Sequence, residues 1–215
     1  MGTRTRIKIC GLTREIDVRN AVEAGADAIG FVFYPASPRH VPIERAAALA
    51  RLLPPFVTPV GLFVNADADE IGRAVEAIPD LVLQFHGDET PAECRAARRP
   101  FLRAVRMTPQ TDLLDCARQF ADAQALLLDA HVAGYGGGGK VFDWSLVARD
   151  LPCRVVLSGG LHAANVTDGI LRLRPWAVDV SSGVESAKGI KDAAAMRRFC
   201  DAVREADARI ADAES

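Results

Sequence analysis

A cysteine and an aspartate stand at the ends of two apolar segments, and both side chains can transfer protons. Cys10 closes the segment RIKIC and is followed by Gly11, while Asp129 closes LLLD. A thiol can serve as a base or nucleophile where a nearby cation lowers its pKa, and Lys8 would share the face of Cys10 on a strand. A carboxyl beside apolar walls has a raised pKa, which suits a general acid. These residues predict acid–base catalysis, and the alternative for Cys10 is packing as a small buried side chain.

Two glycine-containing segments in the last third of the chain indicate a phosphate site. They are LSGGL, residues 157–161, and DVSSGVE, residues 179–185. Glycine lets backbone N–H groups approach an anion closely, and a serine hydroxyl and a helix N-terminus would add to the attraction. The residues that we expect to hold the anion are Gly159, Gly160, Ser182 and Gly183. The expected ligand is a sugar phosphate rather than a polymer.

Three further candidates follow predicted strands. Arg39 ends the tripeptide SPR, and its guanidinium is suited to a fork-shaped contact with a carboxylate, with a plain surface arginine as the alternative. His86 ends LQFH, where a hydrogen-bonded structural histidine is the alternative to a functional one. The run GYGGGGK, residues 134–140, is not a Walker motif because a valine follows its lysine. We interpret it as a mobile loop that covers substrate.

Strands alternating with helices are required to position these residues. Apolar runs such as AIGFVF alternate along the chain with amphipathic stretches such as Ile43–Leu53 and Asp69–Ala77, and a helix at Ala193–Ile210 closes it. Strands that are apolar on both faces are typical of a parallel sheet covered by helices. The predicted strands are Arg6–Cys10, Ala28–Phe33, Pro59–Val64, Leu81–Phe85, Phe101–Val105, Ala125–Asp129, Arg154–Leu157 and Trp176–Val180.

Eight such β-then-α units predict an α/β fold, a closed (β/α)8 TIM barrel that forms one domain over residues 1–215. An open doubly wound sheet is the alternative. Active sites of these barrels lie at the C-terminal ends of the strands, and phosphate groups commonly bind after strands 7 and 8. The barrel would therefore bring Cys10 and Asp129 to its mouth, with LSGGL and DVSSGVE in the phosphate position.

Composition and charge exclude several classes of function. The chain has 26 basic and 28 acidic residues, a net charge of −2 that argues against broad attraction to nucleic acid or membranes. No apolar run approaches the roughly 20 residues that span a bilayer, and the first residues lack a signal-peptide pattern. The five cysteines form no CxxC pair and no zinc spacing, so we expect free thiols, no metal and a cytoplasmic location. We interpret the cysteines other than Cys10 as packing residues.

Taken together, the motifs resemble those of the phosphoribosylanthranilate isomerase family. The resemblance runs in order from the first strand to the last helix. Its segments are KICGLT (8–13), GFVFYPASPR (30–39), VGLFVN (60–65), LQFHGDE (83–89), LLLDA (126–130), FDW (142–144), LSGGL and DVSSGVE. The chain departs from the family at Gly138, where members often have Thr or Ser.

The resemblance implies an Amadori rearrangement, an aldose–ketose isomerisation of tryptophan biosynthesis that uses no cofactor. N-(5-phosphoribosyl)anthranilate would become 1-(2-carboxyphenylamino)-1-deoxyribulose 5-phosphate. The same resemblance makes Cys10 the general base and Asp129 the general acid, and assigns Arg39 to the anthranilate carboxylate and Asp179 to the neighbourhood of the amino nitrogen. Lys8 and His86 complete the expected substrate-binding set. The expected partner is this small molecule, with no nucleic acid or membrane, and the protein would be a monomer or homodimer.

Two other functions fit parts of the pattern. One is another sugar-phosphate isomerase or epimerase, such as a metal-dependent ribulose-phosphate epimerase, which would need His and Asp ligands that converge from several strands, whereas His86 is the only histidine at a predicted strand end. A non-catalytic phosphate-binding barrel, acting as a partner subunit, would be expected to have an impaired acid or base, yet Cys10 and Asp129 are both present.

Overall fold

Eight parallel strands close into a barrel in the order β1 to β8, with β8 pairing back to β1. The computed structural model describes residues 4–130, 141–148 and 150–214. The strands are β1 Arg6–Cys10, β2 Ala28–Val32, β3 Thr58–Phe63, β4 Val82–Phe85, β5 Phe101–Met107, β6 Ala125–Ala130, β7 Val155–Leu157 and β8 Ala177–Val180. The predicted TIM barrel is confirmed, the open sheet is wrong, and each predicted strand bound lies within two residues of the observed one.

Seven α-helices surround the barrel in the described part of the chain. They are α1 Glu15–Ala24, α2 Ile43–Ala50, α3 Ala68–Ala77, α4 Pro91–Ala96, α5 Leu113–Gln119, α6 Val166–Leu173 and α7 Ala193–Ala213. Four of them begin after an Asp or Thr whose side chain accepts a hydrogen bond from the backbone N–H three residues on. Such caps satisfy donors that the first helical turn leaves unpaired.

Two connections differ from the predicted strand–helix alternation. After β6, the described residues 141–148 contain a 3₁₀ helix, Trp144–Leu146. After β8, a second 3₁₀ helix, Ser182–Val184, leads into a hairpin of β9 Glu185–Ala187 and β10 Ile190–Lys191 before α7 begins. The eighth β-then-α unit is thus present with a hairpin inserted before its helix α7, and part of the sixth connection lies outside the described residues.

The apolar core has two layers, which decides where the side chains of β1 point. The outer layer, between strands and helices, contains Ile7 and Ile9. A separate inner cluster includes Val60, Leu127 and Val156. Because side chains alternate along a strand, Ile7 and Ile9 in the outer layer turn Lys8 and Cys10 into the barrel. No helix among the described residues has the length and apolar character to cross a membrane.

Candidate active site

Lys8 and Asp179 form a buried ion pair inside the barrel. Lys8 Nζ donates a hydrogen bond of 2.9 Å to Asp179 Oδ1, joining neighbouring strands β1 and β8. Ser158, at the end of β7, donates to the other carboxylate oxygen at 3.5 Å. Burial acts to lower the pKa of Lys8, but Asp179 and Cys10 outweigh it and raise the pKa above its ordinary value. Lys8 is thus a fixed positive charge whose nearest partner is a carboxylate.

Cys10 is almost fully enclosed, with 4% of its surface exposed. Gly30 stands opposite it on β2, and a methyl group there would come within 2.6 Å of the sulfur. Burial raises the pKa of the Cys10 thiol, and the opposing attraction of Lys8 does not reverse the shift. Lys8 therefore acts on this pKa in the expected direction, but burial is the larger effect.

Asp129 contacts a histidine from a strand on the far side of β5. His86, just after β4, lies with Nε2 3.0 Å from Asp129 Oδ2. The Gln84 amide nitrogen lies 3.0 Å from Nδ1 of the same ring and donates to it. This contact leaves the ring hydrogen on Nε2, where it points at the carboxylate. Apolar surroundings were expected for Asp129, but on the side of His86 they are polar. Sequence reasoning missed Gln84 because a buried glutamine has no local signature.

A second buried acid fixes the loop that carries His86. Glu89 accepts hydrogen bonds from the backbone N–H groups of Asn65 and Gly87, at 2.7 and 2.8 Å. Arg103 of β5 donates to the same carboxylate at 2.7 Å and to the carbonyl of Gly87 at 3.0 Å. The segments that follow β3 and β4 are therefore tied to β5, which holds His86 in place beside Asp129.

Arg39 is buried and its fork already holds a carboxylate. Its Nε and Nη2 donate to the two oxygens of Glu185 at 2.7 and 2.8 Å. Lys191 Nζ donates to Glu185 Oε1 at 2.8 Å. Burial acts to raise the pKa of Glu185, but Arg39 and Lys191 outweigh it and hold the pKa below its usual value. The interpretation of Arg39 as a surface residue is wrong, and its fork faces a protein carboxylate that sequence reasoning did not assign.

The loops after β7 and β8 pack against each other as the predicted anion site requires. Gly159 and Gly160 have φ of +80° and +65°, values that favour glycine. A methyl group on Gly183 would come within 1.9 Å of the Leu161 carbonyl oxygen. Ser182 begins a three-residue 3₁₀ helix directly after β8, and the next α-helix starts at Ala193.

The structure brings the predicted site residues to one end of the barrel. A methyl group on Gly159 would lie 3.0 Å from Asp129 Oδ1, so the anion loops adjoin the candidate acid. Ser181 donates to the carbonyl of Cys10 at 3.0 Å, so they also adjoin the candidate base. The glycine-rich run 134–140, with Gly138, lies outside the described residues. In the described part of the chain, no three His, Cys, Asp or Glu side chains are grouped so that they could hold a metal ion.

Comparisons with known proteins agree with this arrangement. A family profile described as N-(5'phosphoribosyl)anthranilate (PRA) isomerase matches residues 7–202. An N-(5'-phosphoribosyl)anthranilate isomerase from Methylibium petroleiphilum is 74% identical over 211 residues, which cover 98% of this chain and 99% of that protein.

Two solved structures share the fold over nearly their whole length. One, a phosphoribosyl anthranilate isomerase in complex with reduced 1-(o-carboxyphenylamino)-1-deoxyribulose 5-phosphate, has a TM-score of 0.83 and 39% identity, with 94% of this chain and 99% of that one covered. The other contains monomers generated from the dimeric enzyme of Thermotoga maritima, with a TM-score of 0.81, 37% identity and the same coverage. This chain therefore belongs to the N-(5'-phosphoribosyl)anthranilate isomerase family.

Proposed function

We propose that this chain catalyses the Amadori rearrangement of N-(5-phosphoribosyl)anthranilate in tryptophan biosynthesis, with Asp129 as general acid and Cys10 as general base. The observation that carries the proposal is the position of these two groups. In a member of this family, both close barrel strands at the end where the paired glycine loops lie. An acid, a base and a phosphate site are what the isomerisation of a sugar phosphate requires.

Asp129 acts first in this mechanism. Its carboxylic acid gives a proton to the ribose ring oxygen, and the bond from that oxygen to C1′ breaks. The amino nitrogen supplies the electron pair that forms the C1′=N bond, so the product is an open-chain iminium ion. His86 Nε2, 3.0 Å from Asp129 Oδ2, then donates to the carboxylate that remains. This contact stabilises the negative charge that appears on Asp129 during the step.

Cys10 acts second. Its thiolate takes the proton from C2′, and the C–H electron pair forms a C1′=C2′ double bond while the iminium nitrogen becomes neutral. The resulting enolamine tautomerises to the ketone product. The positive iminium beside the sulfur would lower the pKa of the thiol, which burial raises, so that the thiol gives its proton to solvent before it takes the one from C2′. The base is thus activated by the intermediate on which it acts.

The remaining candidate residues hold the two ends of the substrate. The phosphate would bind to the loops that contain Gly159, Gly160, Ser182 and Gly183. The carboxylate of anthranilate would meet the edge of the Arg39 guanidinium that includes Nη1, because Glu185 occupies Nε and Nη2. Asp179 and Lys8, paired at 2.9 Å, would contact the substrate near its amino nitrogen and ribose.

The test is turnover of N-(5-phosphoribosyl)anthranilate, followed through the loss of its fluorescence, with EDTA present and no cofactor added. We expect the native chain to be active, and expect Cys10→Ala and Asp129→Asn each to lower kcat by about 10²–10⁴-fold. The exposed carboxylate Asp122 supplies a matched control, and Asp122→Asn should retain native activity. Unchanged turnover in either site variant would reject that residue's role.

Binding of substrate without turnover by the native chain would instead favour the non-catalytic barrel. A second test concerns the cell: expression of the chain should restore growth without tryptophan to a strain that lacks this isomerase, and Cys10→Ala should not.

We also propose that residues 1–215 fold as one domain, act in the cytoplasm, and form a monomer or homodimer. The dimeric enzyme of Thermotoga maritima supports the second oligomeric state. Light scattering of the purified chain distinguishes the two states.

A further inference from the structure

The hairpin after β8 connects to Cys10 through a serine. Ser181 Oγ donates to the carbonyl oxygen of Cys10 at 3.0 Å. Lys191 Nζ, from β10, donates to the same hydroxyl at 3.3 Å, to the Ser181 carbonyl at 3.0 Å and to Glu185 Oε1 at 2.8 Å. An ammonium group has three N–H donors, and these three acceptors match them. These contacts are those of a charged lysine. The Lys191 side chain is also fully buried.

The same network returns to Cys10 from the other side through Arg39. Glu185 accepts from Lys191 and also from the Arg39 fork. The stem of Arg39 passes so close to Gly11 that a methyl group on Gly11 would lie 2.5 Å from Arg39 Cδ. Lys191, Glu185 and Arg39 thus form a chain of contacts that begins and ends at the segment holding the thiol.

The hairpin is held firmly in this position. Thr13 donates to the Gly189 carbonyl at 2.9 Å, and the backbone N–H of Lys191 lies 3.3 Å from the buried carboxylate of Asp17. A methyl group on Gly189 would come within 2.9 Å of the Pro38 carbonyl oxygen, so the hairpin turn rests on the loop that carries Arg39. The position of Lys191 is therefore set by α1 and by this loop as well as by its own strand.

The charged groups around the thiol do not balance. Lys8, Arg39 and Lys191 carry three positive charges, and Asp179 and Glu185 carry two negative ones. Unbalanced charge is costly in a buried site. A thiolate at Cys10 would bring the sum to zero. In keeping with this, Lys8 and Lys191 both act to lower the pKa of Cys10 against the effect of burial, and Asp179 acts to raise it. Burial in turn lowers the pKa of Lys191, while Glu185 opposes that shift.

We propose that Lys191 and Glu185 are positioning residues of this active site: Lys191 supplies the positive charge that the Cys10 thiolate balances, and Glu185 fixes both Lys191 and Arg39. The proposal deepens the proposed function, on which it rests for the role of Cys10 as a base. In this role neither Lys191 nor Glu185 contacts the substrate.

The experiment measures the rate at which iodoacetamide alkylates Cys10, as a function of pH and without substrate, by peptide-resolved mass spectrometry. Lys191→Met removes one positive charge and leaves the cluster neutral with the thiol protonated. Alkylation of Cys10 at neutral pH should fall by about tenfold or more, because a nearby opposite charge shifts a pKa by about 1 to 3 units. The pH profile of kcat/KM should move to higher pH in the same variant.

The double variant E185Q/K191M gives the decisive comparison. It removes one charge of each sign and restores the net positive charge of the native cluster, so alkylation should recover to within about threefold of native. Simple structural damage predicts the opposite, with the double variant at least as slow as Lys191→Met. Lys191→Met with a native alkylation rate, or a double variant without recovery, would overturn the proposal.

Controls separate charge from folding and from the reaction. Lys188→Met changes an exposed lysine in the same hairpin and should leave the alkylation rate unchanged. The half-buried thiols Cys116 and Cys153 serve as internal references in each digest. If Lys191→Met does not fold, Lys191→Gln removes the charge but keeps a donor for Ser181. Alkylation is measured without substrate, so its result does not depend on turnover. Failure of the proposed function would appear in the turnover assay alone.

Discussion

Replacing Gly30 with alanine should move the thiol of Cys10 without removing it. Gly30 faces Cys10 in the register between β1 and β2. A Cβ at this position would lie 2.6 Å from Cys10 Sγ, 2.9 Å from its Cα and 3.1 Å from its Cβ. Non-bonded carbon atoms are most stable at about 3.5–4.0 Å, so each of these contacts is a clash.

The two strands cannot easily separate to relieve the clash. The N–H groups of Gly11 and Leu12 both donate to the Gly30 carbonyl, at 2.8 and 3.1 Å. We therefore expect the Cys10 side chain to turn away and its backbone to shift slightly, since the clash includes Cα, at a cost of about 1–3 kcal/mol in the free energy of unfolding. In a chain of this size that cost lowers Tm by about 2–4 °C per kcal/mol. A displacement of about 1 Å at a reacting group lowers the rate by about 10²-fold, so kcat should fall by about that factor.

The assay is turnover of N-(5-phosphoribosyl)anthranilate well below the Tm of the variant, with Tm measured by circular dichroism. Gly72→Ala is the matched control, because a Cβ at this position in α3 meets no atom within 4 Å. Alanine also favours a helix over glycine, so the control should keep native turnover with equal or higher Tm. A folded Gly30→Ala variant with kcat within about threefold of native would refute the placement of the base at Cys10.

Three other variants test separate parts of the site and fold. Gly183→Ala should force the two anion loops apart, because its methyl group would lie 1.9 Å from a carbonyl oxygen, and KM should rise more than kcat falls. His86→Asn should lower kcat, with a smaller effect than Asp129→Asn because it removes a donor to the acid rather than the acid itself; equal losses would contradict this order. Burial acts to raise the pKa of Asp27, but hydrogen bonds from Arg4 and a backbone N–H outweigh it and lower the pKa below its ordinary value of 3.8. This carboxylate therefore stabilises the fold above that pH and loses its effect as pH falls through the folded pKa. The difference in urea midpoint between native and Asp27→Asn should shrink on acidification, and a constant difference would show that Asp27 acts without its charge.

The strands could be predicted from the sequence because their pattern is local. Segments such as Ala28–Val32 are short, apolar on both faces and separated by amphipathic stretches, and that alternation favours a parallel barrel. The hairpin of β9 and β10 was missed because its strands have three and two residues, too few to show a period. The chain after β6 was expected to form a helix, and what the structure describes there is a 3₁₀ turn capped by Asp143.

The sequence predicted where the site residues lie better than it predicted which side chains they contact. A barrel places its strand ends together, so polar residues at those ends could be assigned to the mouth. The partners depend on contacts between distant segments: Lys8 and Asp179 are 171 residues apart, and Arg39 and Glu185 are 146 apart. The net direction of the Cys10 pKa shift could not be predicted for the same reason, since the degree of burial is set by the whole barrel and not by the neighbouring lysine.

The raised pKa of Cys10 bears on the order of the proposed steps. Burial raises the pKa of the thiol, although Lys8 and Lys191 both favour the thiolate. The C2′–H bond becomes acidic only when ring opening has placed it beside the C1′=N iminium ion, so proton removal must follow ring opening. If Cys10 is the base, the iminium charge that Asp129 creates by protonating the ring oxygen also favours its thiolate. Burial of the thiol would therefore act in the same direction as the acidity of C2′–H, and both place the base after the acid.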